Sequence, residues 1–275
     1  MPELPEVETV KNSLKLKLIG RKIKSVDIYY DGIIEYPRKE EFEKNIKNQT
    51  IQDIKRFGKW IIFVLDDYYL LSHLRMEGKY FFKTKKDTIL KHEHITFHLD
   101  NMEQLRYMDV RKFGKMQLIP KDKIKEIGPF IKMGLEPWDE KLTTNYLKQK
   151  LSHKKIPIKT ILLDQSIIVG IGNIYADEIL FLSHIHPQKK ASDLTKKELE
   201  TIINNTKIEL ENAIKKGGTT IRSYTSVDGI HGLFQQELYV HGKEECRNCH
   251  TLVTKIKVGG RGTYYCPKCQ PKDKN

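Results

Sequence analysis

The sequence predicts an α+β chain: an N-terminal β-sandwich flanked by helices, then a helical region, then a small metal-ribbon β-hairpin. Three observations predict it. Short apolar runs with strand-like alternation dominate to about residue 119. From Asp139 the apolar period becomes helical. All four cysteines fall in the last thirty residues, as two Cys-x-x-Cys pairs.

The elements follow in order. Pro5 suits a first helical turn, and Val7, Val10, Leu14 and Leu18 form one apolar stripe, so a helix opens the chain. Val26, Ile28 and Tyr30 alternate. Trp60 to Leu65 is a continuous β-branched and aromatic run, fit for a strand buried on both faces. Tyr69–Leu74, Lys79–Phe82, His94–Leu99 and Gln104–Tyr107 supply further strands. Gly128-Pro129, Gly134 and Glu136-Pro137 break the pattern and mark a linker. Beyond it Asp139 caps a helix to about Lys150, and Pro157 opens another through Leu163. Asn173 caps a helix over 173–183. Thr195 and Glu198 form a capping box for a long helix that Gly217-Gly218 stops.

With 275 residues the chain is long enough for about two domains with cores of their own. Its 49 Lys and Arg against 36 Asp and Glu leave a net charge of +13, which points to a polyanion, nucleic acid by default. No stretch approaches the roughly 18 apolar residues of a membrane span, and the opening lacks a signal peptide's apolar region. The expected location is the cytoplasm, with the nucleoid as its working place, and a reducing compartment favours metal over disulfides. Cys246/Cys249 and Cys266/Cys269, with sixteen residues between the pairs, close a tetrahedral site of four thiolates. Such a site leaves no open position, so its Zn2+ is structural.

The chemistry-bearing end is Met1-Pro2-Glu3-Leu4-Pro5-Glu6. A small residue after Met1 favours its removal, which frees the secondary amine of Pro2. An α-amino group has a pKa near 7.7–8.0, so a useful fraction is nucleophilic at neutral pH. A helix N-terminus lowers it further. Such an amine can attack a sugar carbon and form a Schiff base. Glu3 and Glu6 share one helical face beside it.

Other motifs read as contacts. Lys59 stands at the entry to the buried strand. His73-Leu74-Arg75-Met76-Glu77-Gly78 is a loop with an apolar tip, and apolar wedges unstack duplex DNA. Asp109-Val110-Arg111-Lys112-Phe113-Gly114 joins cations to an aromatic, suited to filling the hole left by an extruded base. His92 and His94 flank Glu93 and face one side of a strand. In Gly170-Ile171-Gly172-Asn173-Ile174-Tyr175-Ala176-Asp177-Glu178 the glycines let backbone approach a phosphate. Gly259-Gly260-Arg261-Gly262 is the turn of the ribbon hairpin.

These motifs together resemble the formamidopyrimidine-DNA glycosylase family, and the match covers most of the chain. The resemblance implies a bifunctional DNA glycosylase and abasic-site lyase that excises oxidised purines and cuts by β,δ-elimination. It names Pro2 as nucleophile, Glu3 as the acid at the sugar, Glu6 as a supporting carboxylate, and Lys59 and Arg261 as aids to elimination. It implies a helix–two-turn–helix around Asn173, phosphate contacts from Lys154 and Asn173, and DNA contacts from His73 and His92. Met76, Arg111 and Phe113 become the residues that replace the extruded nucleotide. The family commonly carries proline where Val110 stands. The implied division is a catalytic β-sandwich at 1–133, a helical DNA-binding domain at 134–236 and a zinc ribbon at 237–270. The implied partner is double-stranded DNA with oxidised purines or abasic sites, bound by a monomer away from any membrane. The 217–235 segment would close over the extruded base. Two rival readings are an endonuclease VIII-like enzyme for oxidised pyrimidines and a non-catalytic zinc-dependent DNA-binding protein.

Overall fold

Residues 1–219 and 233–272 are described by a computed structural model of the chain. The expected closing segment at 217–235 therefore falls largely outside the described residues. The chain divides into two units, the first holding residues 1–131 with Thr219, the second 132–218 and 233–272.

The first unit begins with α1 (Leu4–Leu18), whose Val7, Val10, Leu14 and Leu18 are all buried as the stripe requires. Then come β1 (Ile23–Ile28), β2 (Ile34–Tyr36), α2 (Lys39–Ile46), β3 (Asp53–Phe57), β4 (Trp60–Val64), β5 (Tyr68–His73), β6 (Lys79–Thr84), β7 (Glu93–Leu99), β8 (Glu103–Met108), β9 (Lys115–Pro120) and the short α3 (Ile124–Ile127). One sheet has the order β1-β7-β8-β6 and the other β2-β9-β5-β4-β3. Within these two sheets β2 and β9 pair in parallel and the other pairs are antiparallel. The two inner faces close on one core with α1, through residues such as Phe63, Leu70, Phe97, Leu105 and Met116. This is the expected sandwich. The continuous run of β4 is not buried on both faces: Ile62 and Val64 are half-buried, while Trp60, Ile61 and Phe63 are buried.

The second unit contains α4 (Thr144–Leu151), α5 (Ile158–Leu162), α6 (Asn173–Leu182), α7 (Lys196–Lys215) and the hairpin β10 (Thr254–Val258) with β11 (Arg261–Tyr265). Two expected caps are corrected. Thr143 rather than Asp139 caps α4, its side chain accepting the Tyr146 N–H. Asp139 instead takes the Lys141 N–H in the preceding turn. Gly172 rather than Asn173 is the N-cap of α6; Asn173 is its first helical residue, and its side chain reaches elsewhere. The Thr195–Glu198 capping box forms as expected, and Gly217 and Gly218 end α7 with φ of 74° and 78°. Among the described residues no helix is long and apolar enough to cross a membrane.

Candidate active site and nucleic-acid interface

The start of α1 is where buried charge gathers. Glu3, Glu6 and Lys59 are 2 %, 1 % and 5 % exposed. Burial of carboxylates is costly unless they are hydrogen-bonded. Glu6 meets that demand fully. Its Oε2 accepts the Glu3 N–H at 2.8 Å, and its Oε1 accepts the Thr219 N–H at 2.8 Å and the Thr219 hydroxyl at 3.1 Å. Glu6 therefore fixes the backbone at the terminus and holds Thr219 against it. Lys59 sits in the two-residue turn of the β3–β4 hairpin, after Gly58 at φ 55°. That turn is tied back to α1. Arg56 Nε donates to Glu8 at 2.8 Å, Arg56 Nη1 to the Gly58 carbonyl at 3.0 Å, and Lys11 pairs with Glu8 at 2.6 Å.

The terminal amine in the structure belongs to Met1, one residue ahead of Pro2. Burial pulls it below the ordinary value of a terminal amine; Glu3 and Glu6 oppose this, and Lys59 pushes it further down. Three residues picked out separately in the sequence thus act on one amine. Buried Pro2 adjoins it.

His73 ends β5 and stacks edge-on against Trp60 at 4.9 Å. Burial pushes it down to about 3, with the charges of Arg75 and Lys59 adding to the effect. It is neutral at physiological pH, and its Nδ1 accepts the Arg75 N–H at 3.0 Å. The Nδ1 lone pair is thereby used, which leaves Nε2–H as the ring's donor. Met76 lies in the following loop, half-buried.

The loop after β8 is shaped by Asp109, which is fully buried. Its carboxylate accepts the N–H groups of Arg111 at 3.0 Å and Gly114 at 2.7 Å. Its carbonyl takes the His94 Nε2 at 2.8 Å, and its N–H reaches the His92 carbonyl at 3.0 Å. These bonds fix the loop without a proline at 110. His94 is committed to this bracing, and Glu93 to buried Arg106 at 2.9 Å. Arg111 lies over the Phe113 ring at 4.8 Å, and Phe113 is 50 % exposed. His92 is half-buried, its ring 6.5 Å from that of His94.

Both loops rest on the hydroxyl of Tyr107. A Cβ at Gly78 would stand 2.3 Å from it, and one at Gly114 1.8 Å. That hydroxyl is buried with no hydrogen-bond partner. Neither glycine is called for by backbone conformation, so close approach is what requires them.

In the second unit the four sulfurs of Cys246, Cys249, Cys266 and Cys269 lie within 4.8 Å of one another. Individual Sγ–Sγ separations are 3.5 Å for Cys249–Cys266 and 4.0 Å for Cys246–Cys269. A Zn–S bond of about 2.3 Å in a tetrahedron puts sulfurs about 3.8 Å apart. A disulfide would need about 2.05 Å. The donor set therefore fits one structural zinc ion and no disulfide. Gly259 and Gly260, at φ 55° and 78°, make the two-residue turn, so Arg261 is the first residue of β11 rather than part of the tip. Asn173 Nδ2 donates to the Gly262 carbonyl at 2.9 Å, which joins the start of α6 to the residue after Arg261. Lys154 is half-buried and lies 3.8 Å from Asp164. The buried Lys159, which the sequence offers only as one residue of a short helix, makes the closer contacts to the hairpin.

Comparison with known proteins bears on the whole chain. Residues 1–116 match the family model described as formamidopyrimidine-DNA glycosylase N-terminal domain. Residues 133–225 match the formamidopyrimidine-DNA glycosylase H2TH domain, and residues 243–272 the zinc finger found in FPG and IleRS. The formamidopyrimidine-DNA glycosylase of Oceanobacillus iheyensis is 48 % identical over 274 residues, 98 % of each chain. That of Bacillus subtilis is 47 % identical, covering 99 % of this chain and all of its own. Lactococcus lactis Fpg in complex with abasic-site DNA superposes with a TM-score of 0.92 at 41 % identity, over 98 % of this chain and 100 % of that one. The Lactococcus lactis protein with DNA containing an oxidised pyrimidine gives a TM-score of 0.91 at the same identity and coverage.

Proposed function

This chain belongs to the formamidopyrimidine-DNA glycosylase family, and we propose that its chemistry is carried by the amine of Pro2 after Met1 is removed. The protein is a base-excision-repair DNA glycosylase for oxidised purines with abasic-site lyase activity. One observation supports the nucleophile: Glu3, Glu6 and Lys59, all buried, act on the terminal amine. A catalytic amine needs a pKa near the working pH, and burial supplies a downward shift at the Met1 amine one residue ahead of Pro2.

In the proposed sequence Glu3 protonates the sugar as Pro2 attacks C1′. The C1′–base bond breaks, and the base departs with its electron pair and the proton that Pro2 loses; the C1′–O4′ bond then opens, O4′ keeping the electron pair and taking the proton of Glu3, which leaves an iminium at C1′. The resulting iminium acidifies the C2′ protons. Loss of one expels the 3′ phosphate, and a second elimination expels the 5′ phosphate. Lys59 stands at the amine as the group that moves protons during elimination. Glu6, with both oxygens engaged, positions Glu3 and the terminus rather than exchanging protons. Met76, Arg111 and Phe113 take the place of the extruded nucleotide, with His73 and His92 donating to phosphates nearby. Asn173 and Arg261 bind phosphates on the second unit, with Lys154 adding charge. Zinc held by the four cysteines shapes the ribbon and takes no part in bond making. We place the reaction in the cytoplasm, at the nucleoid.

Borohydride trapping on a duplex with 8-oxoguanine is the test. Met1-free protein is expected to give a covalent adduct that maps to Pro2, and acetylation of the terminus is expected to abolish both adduct and strand scission. Scission that persists after acetylation sinks the assignment of Pro2. A parallel duplex with an oxidised pyrimidine sets the lesion range.

A further inference from the structure

The second unit holds a lysine that the reaction above does not use. Lys159, in α5, is 0 % exposed, and so buried an ammonium needs all three of its protons answered. Two hydrogen-bond acceptors and one ion partner surround it. Asp177 Oδ1 of α6 is 2.7 Å away as an ion partner, Thr263 Oγ1 is 2.8 Å away and the Gly262 carbonyl 3.1 Å. Two of the three belong to the residues that directly follow Arg261.

The bonds continue to Arg261 itself. The Thr263 hydroxyl, accepting from Lys159, donates onward to the Arg261 carbonyl at 3.1 Å. Gly262 O receives Asn173 Nδ2 at 2.9 Å as well as Lys159. Asp177 Oδ2 accepts the Tyr264 N–H at 3.1 Å and lies 2.7 Å from His241 Nδ1. On the other side of the turn, Thr160 Oγ1 would stand 2.6 Å from a Cβ at Gly259, so α5 presses on the tip as well. The backbone of residues 261–264 is thus held at successive points from α5 and α6. The four cysteines that would hold zinc lie at the far end of the strands and flank the hairpin.

We propose that the buried Lys159–Asp177 pair is a positioning device: it sets the place of Arg261 relative to Asn173, so that two phosphate ligands from different elements keep one fixed spacing. The proposal rests on Arg261 being a phosphate ligand that assists the second elimination. A simple brace would also bury a charged pair, but it would have no need to bond the carbonyls of 261 and 262 through Thr263 and Lys159. Hydrogen-bonded chains of this kind specify one arrangement when complete.

The experiment uses the full, zinc-loaded, Met1-free protein on an end-labelled abasic-site duplex. Lys159→Met and Thr263→Val are compared with Arg261→Ala. Three quantities are read: zinc per chain, the rate of borohydride trapping, and the ratio of δ- to β-elimination product. Both positioning variants are expected to keep their zinc and trap within about twofold of the parent. Their δ/β ratio is expected to fall about tenfold, in parallel with Arg261→Ala, since a displaced group about 1 Å off can cost up to 100-fold. If Lys159→Met loses its zinc or fails to fold, Thr263→Val, which removes one hydroxyl, decides. An unchanged ratio in a zinc-loaded variant overturns the device while Arg261→Ala still shifts it. An Arg261→Ala protein with an unchanged ratio sinks the role of Arg261, and the device with it.

Discussion

The two ends of the chain solve the same problem in opposite ways. Each must hold a charged group in a set place at the edge of a protein. The N-terminal end rests on a large core: α1 buries Val7, Val10, Leu14 and Leu18 in the cluster that fills the sandwich, and the chemistry at its start inherits that rigidity. The C-terminal ribbon has only a small apolar cluster, Phe181 and Val240 with Cys246 and Cys266, and half of that cluster is metal ligand. Packing fixes the first region, while coordination and buried polar bonds fix the second. A nucleophile placed on a core is insensitive to metal, whereas a phosphate clamp on a ribbon is not.

Metal removal breaks the comparison most sharply. Structural zinc supplies folding free energy outright in modules of this size. Chelation is expected to strip amide protection from β10 and β11 and to leave β4 and β5 protected. Lesion cleavage should fall on the order of 100-fold, the scale expected when a positioned group is lost. Hydrogen exchange read by mass spectrometry checks both halves. Equal loss of protection in the two regions would show that they do not have separate sources of order.

A substitution at Gly114 sharpens the other side. An alanine Cβ there would meet the Tyr107 hydroxyl at 1.8 Å, so the packed core itself must shift. Overpacking of this kind costs about 1–3 kcal/mol. The loop carrying Arg111 and Phe113 is displaced with it. Gly114→Ala is expected to slow excision from intact lesion duplex about tenfold, with a smaller effect on a preformed abasic site, which needs less extrusion. Adding Tyr107→Phe removes the nearest clashing atom, leaves the ring carbon at 2.8 Å, and should restore part of the rate. No rescue would mean that the loop is not keyed to Tyr107.

These cases show which parts of the molecule were legible in the sequence. The four cysteines are legible because metal ligation imposes local spacing, and the α7 start because a capping box spans four residues. The Pro2, Glu3 and Glu6 cluster is equally local. Lys59 needed the resemblance, since a lysine before an apolar run is an ordinary strand end. Thr219 on Glu6, Tyr107 under two glycines, and Lys159 beneath the hairpin were not legible, because each contact joins residues far apart in the chain. The short β2, parallel to β9, was hidden for the same reason.

The two units also respond oppositely to pH. His73 is pushed down to about 3 by burial, so the folded state binds fewer protons than the unfolded state between 3 and the ordinary 6.5. Its contribution to stability is present above 6.5 and is lost as pH falls toward 3. Glu209, in α7 and lining a cleft of about 380 Å³, is pushed up to about 8, by burial first and by Glu178 second. Its contribution is fully present below about 4.5 and is lost as pH rises through 8. One partner cause is visible: Glu178 is committed to the N–H groups of Tyr239, Val240 and His241. His73→Gln is expected to gain stability over the parent at pH 5, and Glu209→Gln at pH 8.5, by a few kcal/mol at most on the scale of about 1.36 kcal/mol per unit. Denaturant midpoints at the two pH values measure this. A gain at the same pH for both variants would contradict the assignment.

The smallest effect compares two helix starts of the same design. In α7, Thr195 caps and Glu198 at the third position reaches back, its Oε2 accepting the Thr195 N–H at 2.8 Å. In α1, Glu6 makes the same reach to Glu3 at 2.8 Å, but the cap residue is a glutamate, which is not among the favoured N-caps. The α7 cap serves stability alone, so Thr195→Ala should cost about 1 kcal/mol and leave cleavage per folded molecule unchanged. At α1 a serine would cap better and would remove a carboxylate buried to 2 % exposure. Glu3→Ser is therefore expected to keep or raise stability by a few tenths of a kcal/mol, while excision is lost because the acid is gone. Thermal melts and single-turnover excision, run side by side, separate the two quantities. A Glu3→Ser protein that melts well below its parent would make Glu3 a structural cap like Thr195, and the cost of placing an acid at that helix start would no longer point to chemistry.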